Sequence, residues 1–218
     1  MLRYILFDLD GTLTDSQEGV LNTLRYALEK MGRPVPADSV LIKFIGPPLQ
    51  DSFPRFCGLD QEDTQRAIDL FHERYNTIGL FENAAAPGLP ELCTRLKERG
   101  YVLALASSKP EPQCIRICEK FGFSSSLDVI VGSGPEVDWE KKDVILEALH
   151  RIGVDQDHLD QSLMVGDRRF DVLGAKACGL PCVGVEFFGY ADPGELEEAG
   201  AVAVVDTAQQ LEQYILTH

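Results

Sequence analysis

The fold is decided by the stretch Phe7-Asp8-Leu9-Asp10-Gly11-Thr12-Leu13-Thr14-Asp15-Ser16. It ends an apolar run, Tyr4-Ile5-Leu6-Phe7, that has the length and residue types of a buried strand. A turn at Asp10-Gly11 explains one of the two aspartates that follow. Two carboxylates at the end of a buried strand are costly to desolvate unless a cation meets them. The stretch therefore favours a magnesium site with an aspartate nucleophile.

The composition is that of an acidic globular protein. The chain has 218 residues, a formal net charge of −15 and a pI of about 4.6. This length suffices for one large core, or for a core domain with a small second domain. The negative field should repel nucleic acids and anionic membranes, so we expect neither as a partner. An anionic substrate must be attracted locally, by a metal ion or by a few cations.

The cysteines and the N-terminus indicate a reduced, cytoplasmic protein. The six cysteines form no C-x-x-C pair, and buried thiols are the simplest interpretation. The N-terminus enters a strand at once and lacks the pattern of a signal peptide. No apolar run is long enough to span a membrane.

Residues 17–84 have a helical pattern. Apolar residues recur at helical spacing after Ser16, a candidate N-cap, and Gly32 with Pro34 ends that helix. Further helices are predicted from Asp38, over residues 49–56 and over residues 61–78. The last of these has an apolar face formed by Ala67, Ile68, Phe71 and Tyr75. Residues 84–88 form a linker, so residues 17–84 are predicted to be a helical insert.

From residue 88 onward, helices alternate with strands. Strands are predicted at residues 101–106, 129–131, 163–165, 181–185 and 202–205, and helices at residues 90–99, 112–121, 142–152, 169–178 and 208–216. Continuous apolar strands in this alternation are typical of a parallel sheet covered on both faces. Such sheets bind ligands at the carboxyl ends of their strands.

Polar residues follow the predicted strands, as such a site requires. The first segment is Ser107-Ser108-Lys109, the second is Gly166-Asp167-Arg168-Arg169-Phe170-Asp171, and Glu140-Lys141-Lys142-Asp143-Val144-Ile145 opens a helix between them. Each has an ordinary alternative. The serines begin a loop, Asp167 is an N-cap, Asp171 is a surface residue, and the lysines are solvated.

Together these segments resemble the haloacid dehalogenase-like (HAD) superfamily in order and spacing. Asp8 and Asp10 match its first motif, Ser107 its second, and Asp167 with Asp171 its fourth. Lys141 is preferred for the third because Lys-Lys-Asp-Val-Ile is similar to the K-x-x-V-I form of phosphoglycolate phosphatase-like members; Lys142 is the alternative. The insert is similar to the C1 cap of the family, and residues 46–49 and 79–83 resemble the same subgroup.

The resemblance implies an α/β fold. Its core would be a Rossmann-like parallel sheet, the HAD fold, with a small all-α C1 cap inserted after the first strand. The core domain would comprise residues 1–16 and 85–218, and the cap residues 17–84. A monomer or a homodimer is expected.

The resemblance also implies residue roles. Asp8 would be the nucleophile that forms an aspartyl-phosphate, and Asp10 would protonate the leaving oxygen and then activate water. Mg²⁺ would be bound by Asp8, the Asp10 carbonyl and Asp167, with Asp171 acting through water or in support. Phosphoryl oxygens would be held by Ser107, by Lys141 and by the amides of Leu9, Asp10 and Ser108.

The cap should meet the leaving group. Candidate contacts are Lys43, Gly46 in the Ile45-Gly46-Pro47 bend, Arg55 and Arg74. The alternative is that the charged side chains are simply solvated on the surfaces of their helices.

The expected function is Mg²⁺-dependent hydrolysis of a small phosphorylated metabolite, with phosphoglycolate first and nucleoside monophosphates next. A β-phosphoglucomutase-like mutase is an alternative, and a phospho-accepting receiver-like module is the non-enzymatic one. A dehalogenase is disfavoured because that branch lacks the second aspartate, Asp10.

Overall fold

The computed structural model describes residues 1–134 and 139–218. The strands β1–β8 are Tyr4–Phe7, Thr14–Asp15, Ala84–Ala85, Val102–Pro110, Val129–Ser133, Ser162–Gly166, Cys182–Val185 and Ala203–Val205. The helices α1–α10 are Gln17–Lys30, Asp38–Leu41, Leu49–Cys57, Gln61–Tyr75, Leu89–Glu98, Glu111–Phe121, Lys141–Arg151, Arg169–Ala177, Glu195–Ala199 and Ala208–Thr217. Short 3₁₀ segments are Ile42–Phe44, Gly79–Phe81 and Gln156–Gln161.

The chain folds into two compact units. The sheet unit comprises Met1–Thr14 and Ala85–His218, and the helical unit comprises Asp15–Ala84. The division into a core domain and a cap domain at the boundaries given above stays a prediction.

A six-stranded sheet forms the sheet unit, in the order β5-β4-β1-β6-β7-β8. Every neighbouring pair is parallel. All four residues of β1 are buried. Because alternate residues of a strand point to opposite faces, this burial requires both faces of the sheet to be covered. The predicted parallel α/β architecture is confirmed.

The strand order places a switch point at β1. The chain leaves β1 for β4 and β5 on one side, and then returns to β6 on the other. Phe7 pairs with Leu105 of β4 and with Val165 of β6. The carboxyl ends of these three strands therefore adjoin, which is where parallel α/β sheets bind ligands.

The core of the sheet unit is built from strand residues and two helices. Leu6, Ala104 and Met164 are fully buried against the inner faces of α7 and α8, which contribute Val144, Ile145, Val172 and Ala175. This packing fixes where α7 and α8 begin relative to the sheet, and so fixes the residues at their first turns.

Several elements of the sheet unit differ from the sequence prediction, among them the unpredicted 3₁₀ segment Gln156–Gln161 and β5, which runs to Ser133. Strand β4 extends beyond the predicted residues 101–106 to Pro110, with a shift of register between Ala106 and Pro110. Irregular pairing of this kind is common beside active sites. Helix α9 was not predicted, because its five residues bury only Leu196 and so show no apolar periodicity.

The helical unit matches its predicted pattern, except that the helix predicted over residues 61–78 ends at Tyr75 and the 3₁₀ segment Gly79–Phe81 follows. The predicted face Ala67, Ile68, Phe71 and Tyr75 is buried on α4. Ser16 stands at the N-cap position of α1, as predicted, but its hydroxyl makes no capping hydrogen bond. The Asp15 carboxylate accepts the Gln17 amide at 3.0 Å, and the Gly19 amide, which a serine at the N-cap could accept, donates to the Glu82 carbonyl at 2.8 Å.

None of the helices in the described part of the chain combines the length and the apolar character that a bilayer-spanning helix needs.

Candidate active site

A tight turn follows β1 and presents its two aspartates. The Asp8 amide donates to the Val165 carbonyl at 2.9 Å, which continues the pairing with β6. The Leu9 carbonyl then accepts the amides of Leu13 and Thr14, each at 2.9 Å. Gly11 has a φ of +84°, a conformation that side-chain-bearing residues rarely adopt. The turn therefore holds Asp8 and Asp10 at the end of the central strand.

Three aspartates meet at this edge of the sheet. Asp8, Asp167 and Asp171 each offer a carboxylate oxygen, and these oxygens lie within 4.8 Å of one another. Asp167 and Asp171 are only 3% and 2% exposed. The Thr12 hydroxyl donates to Asp167 Oδ1 at 3.1 Å, and the Arg168 amide donates to Asp171 Oδ2 at 3.0 Å. The three side chains come from two strand ends and one helix start.

Lys141 joins two of these carboxylates. Its Nζ lies 2.7 Å from Asp8 Oδ1 and 2.6 Å from Asp171 Oδ1, and its side chain is 8% exposed. The stem of Lys141 runs over Gly174, where a Cβ would come within 2.8 Å of Lys141 Cγ. Lys142, the alternative for the third motif, instead pairs with the exposed Glu140 at 2.9 Å. The structure thus brings Lys141, and not Lys142, to the aspartates.

Burial and charge shape the protonation of this cluster. Burial raises the pKa of Asp167 well above its usual range, and the charges of Asp171 and Asp8 add to the rise. Burial also raises the pKa of Asp171, although Lys141 opposes the rise. Burial alone would lower the pKa of Lys141, but Asp171 and Asp8 outweigh it and the pKa is raised. The lysine is therefore charged at neutral pH and is outnumbered by carboxylates.

The cluster fits a hard divalent cation. Its donors are carboxylate oxygens, which Mg²⁺ prefers. Asp167 Oδ2 is buried and has no hydrogen-bond partner among residues 1–134 and 139–218. A Cβ on Gly11 would lie 2.1 Å from that oxygen, so only glycine leaves the space beside it open. A buried carboxylate oxygen without a partner is costly, and a bound cation would remove that cost.

The second-motif serines lie on the neighbouring strand. Ser107 is buried, Ser108 is exposed, and both belong to β4 rather than to a loop. The Lys109 amide donates to Ser107 Oγ at 3.4 Å. Because β4 pairs with β1, these serines lie at the same sheet edge as Asp8.

Sequence analysis missed two residues of the site. Lys109 Nζ lies 2.8 Å from Asp10 Oδ2, and the lysine side chain is only 9% exposed. Thr12 is fully buried and binds Asp167. The signal for Lys109 was its place two residues after Ser107, but a lysine at a strand end is solvated by default. The hydroxyl of Thr12 was visible in the first motif, but not its partner 155 positions away.

The four candidates in the helical unit remain predictions. Lys43 and Arg55 are exposed, and Gly46 is an exposed glycine with a φ of +104°. Arg74 binds Glu82 with two hydrogen bonds, at 2.7 and 2.8 Å, and also donates to the Thr23 hydroxyl. The charge of Arg74 is therefore compensated within the helical unit.

The comparisons with known proteins agree with this geometry. The family of haloacid dehalogenase-like hydrolases matches residues 5–185. The chain belongs to this family. The crystal structure of a predicted phosphatase from Clostridium acetobutylicum has a TM-score of 0.90, with 38% identity and full coverage of both chains. The resemblance found in the sequence is confirmed.

Curated relatives of this chain carry the names of phosphate-releasing enzymes. A 5′-nucleotidase of Pseudomonas aeruginosa is 40% identical over 197 residues, which are 88% of this chain and 87% of that protein. A phosphoglycolate phosphatase of Cupriavidus necator is 30% identical over 213 residues, 95% and 90% of the two chains. The chain is thus an enzyme of the HAD phosphatase type, and the receiver-like alternative is set aside.

Proposed function

We propose that this enzyme is a Mg²⁺-dependent phosphatase that hydrolyses a small phosphate monoester through an aspartyl-phosphate on Asp8. One observation carries the proposal. Asp8 stands at the end of the central strand, paired with the buried Lys141 and clustered with the buried Asp167 and Asp171. A carboxylate so placed has the charge compensation that attack on a phosphate dianion requires.

The proposed reaction has two steps, transfer of the phosphoryl group to Asp8 and hydrolysis of the aspartyl-phosphate. A carboxylate oxygen of Asp8 bonds to phosphorus while the bond to the leaving oxygen breaks, and that oxygen takes a proton from the Asp10 carboxyl. Water then attacks the phosphorus, gives a proton to Asp10 and releases phosphate. Asp8 regains its carboxylate and Asp10 its proton, so the enzyme returns to its starting state.

The phosphoryl oxygens would be held by Ser107, Lys141 and the amides of Leu9, Asp10 and Ser108. Asp8, the Asp10 carbonyl and Asp167 would hold Mg²⁺, with Asp171 in support. The bound ion supplies positive charge that offsets the repulsion between the nucleophile and the phosphate. Lys141 would add its own positive charge at Asp8, through its 2.7 Å contact.

The substrate is proposed from the relatives. A phosphoglycolate phosphatase and a 5′-nucleotidase both align with nearly all of this chain, so 2-phosphoglycolate and nucleoside monophosphates are the candidates. A mutase of the β-phosphoglucomutase kind would share these motifs but would release no phosphate. The helical unit is proposed as the cap domain, and a cytoplasmic monomer or homodimer as the working form.

The test is phosphate release across a panel of 2-phosphoglycolate, nucleoside monophosphates, sugar phosphates and p-nitrophenyl phosphate. Release is expected with Mg²⁺ and should fall to background after EDTA treatment, because the carboxylates alone repel the substrate. Excess Mg²⁺ should restore it. Activity that persists in EDTA would contradict the metal requirement. If no phosphate is released from any member, the next assay is conversion of β-glucose 1-phosphate to the 6-phosphate.

Replacing Lys109 with Met is expected to lower the rate of phosphate release by about 10- to 100-fold, as part of what a general acid–base residue contributes. The reason is that Lys109 holds Oδ2 of Asp10 at 2.8 Å and so orients this carboxyl. The measurement is steady-state phosphate release on the preferred substrate. Lys120→Met, an exposed lysine of α6, is the matched control.

A double variant tests the assignment. If Lys109 acts through Asp10, Lys109→Met should cost little further activity in an Asp10→Asn background. An equal loss in both backgrounds would show that Lys109 acts on something other than Asp10.

A further inference from the structure

Glu195 is a glutamate outside the motifs whose side chain is largely withdrawn from solvent. It is the first residue of α9, which follows β7 by a loop, and its side chain is only 8% exposed. Glutamates almost always remain solvated unless they are paired. The burial of Glu195 therefore needs a cause.

The hydrogen bonds of Glu195 connect α9 to the start of α8 and to the loop that precedes α9. Its Oε1 accepts the Arg168 Nε at 2.9 Å and the Arg169 backbone amide at 2.9 Å. Its Oε2 accepts the Asp192 backbone amide at 3.1 Å. Both carboxylate oxygens are thus used, and two of the three donors belong to residues between Asp167 and Asp171.

These contacts lead directly to the acidic cluster. Arg168, whose side chain Glu195 holds, donates its own amide to Asp171 Oδ2 at 3.0 Å. Asp171 in turn contacts Lys141 at 2.6 Å. Glu195 is therefore connected through Arg168 to Asp171, and through Asp171 to Lys141 at the centre of the site.

The loop before α9 also lies close to the acidic cluster, through Tyr190. A Cβ on Gly11 would lie 2.7 Å from Tyr190 Cδ2 and 2.1 Å from Asp167 Oδ2. The tyrosine ring and the unpartnered oxygen thus pack against the same glycine. Residues 190–195 therefore adjoin the cluster in two places, at Gly11 beside Asp167 and at Arg168 beside Asp171.

We propose that Glu195 is a positioning residue that sets the geometry of Asp167 and Asp171 for Mg²⁺. The inference rests on the proposed function, because it takes the acidic cluster to be the magnesium site. Groups that orient metal ligands from outside typically contribute about 10- to 100-fold to metal affinity. A glutamate that merely stabilises the fold would contribute nothing to that affinity.

The experiment is calorimetric titration of the metal-free 218-residue protein with Mg²⁺. Glu195→Gln keeps the size of the side chain but removes the charge that holds Arg168. We expect its dissociation constant for Mg²⁺ to rise by about tenfold. Glu197→Gln, on the exposed side of the same helix, is the matched control and should bind like the wild type.

A melting temperature measured with and without Mg²⁺ separates the two roles. If Glu195 positions the site, Glu195→Gln should lose part of the stabilisation that Mg²⁺ confers, because weaker binding gives a smaller shift. Glu195→Asp, which keeps the charge on a shorter stem, should lose less, and it replaces Glu195→Gln if that variant does not fold. A lowered melting temperature with an unchanged dissociation constant overturns the inference.

The same titration distinguishes failure of the proposed function. Wild-type protein that binds no Mg²⁺ overturns the magnesium site itself, and the inference with it. If the wild-type protein binds Mg²⁺ and Asp167→Asn abolishes that binding, the magnesium site is established. Glu195 variants that then bind like the wild type overturn the inference alone.

Discussion

Asp8→Asn is expected to reduce phosphate release by about five orders of magnitude, as removal of a catalytic nucleophile does. An amide cannot form the acyl-phosphate, and Asp8 is the carboxylate of this turn that the buried Lys141 contacts at 2.7 Å. The backbone hydrogen bond from residue 8 to Val165 is retained in the variant. The measurement is phosphate release at saturating Mg²⁺ on the preferred substrate.

The folded state should survive this change. Asparagine removes one of three clustered carboxylates, and Lys141 keeps Asp171 as a partner at 2.6 Å. Asp160→Asn, at an exposed position of the sheet unit, is the matched control and should leave activity unchanged. A collapsed circular dichroism spectrum of Asp8→Asn would show that Asp8 is structural. Full activity would show that another group is the nucleophile.

Lys141→Met is expected to have two large effects. Removing one partner of a buried ion pair typically costs about 3–5 kcal/mol, and here two carboxylates lose their cation. The free energy of unfolding of the metal-free protein should fall accordingly in urea denaturation. Phosphate release should fall by about 10²- to 10³-fold, because a charge that faces the nucleophile and the phosphoryl group is gone.

Lys142→Met is a closely matched control. It removes the neighbouring lysine, whose side chain is 48% exposed and pairs with an exposed glutamate. Surface pairs of this kind contribute little, so both stability and activity should stay near those of the wild type. Added Mg²⁺ should restore part of the stability of Lys141→Met, since the carboxylates regain a cation. A larger loss of stability and activity in Lys142→Met than in Lys141→Met would contradict the placement of Lys141 in the site.

The main outline of the fold could be predicted from local patterns. Apolar runs of four to six residues, helices at period 3.6 and glycines after them are properties of neighbouring residues, and they located most strands and helices. The exceptions were elements with no local signal. Helix α9 buries one residue, and the extension of β4 to Pro110 depends on pairing with β1 and β5.

The sequence by itself determined the parallel sheet and the ends of β1 and β6 at which Asp8 and Asp167 lie, because strand direction follows from the alternation of elements. Tertiary structure decided which lysine meets the aspartates, since that depends on the face of α7 that packs over Gly174. It also paired Lys109 with Asp10 and Glu195 with Arg168. These contacts join segments far apart in the chain, and only the packed arrangement of strands and helices brings such charges within hydrogen-bonding distance.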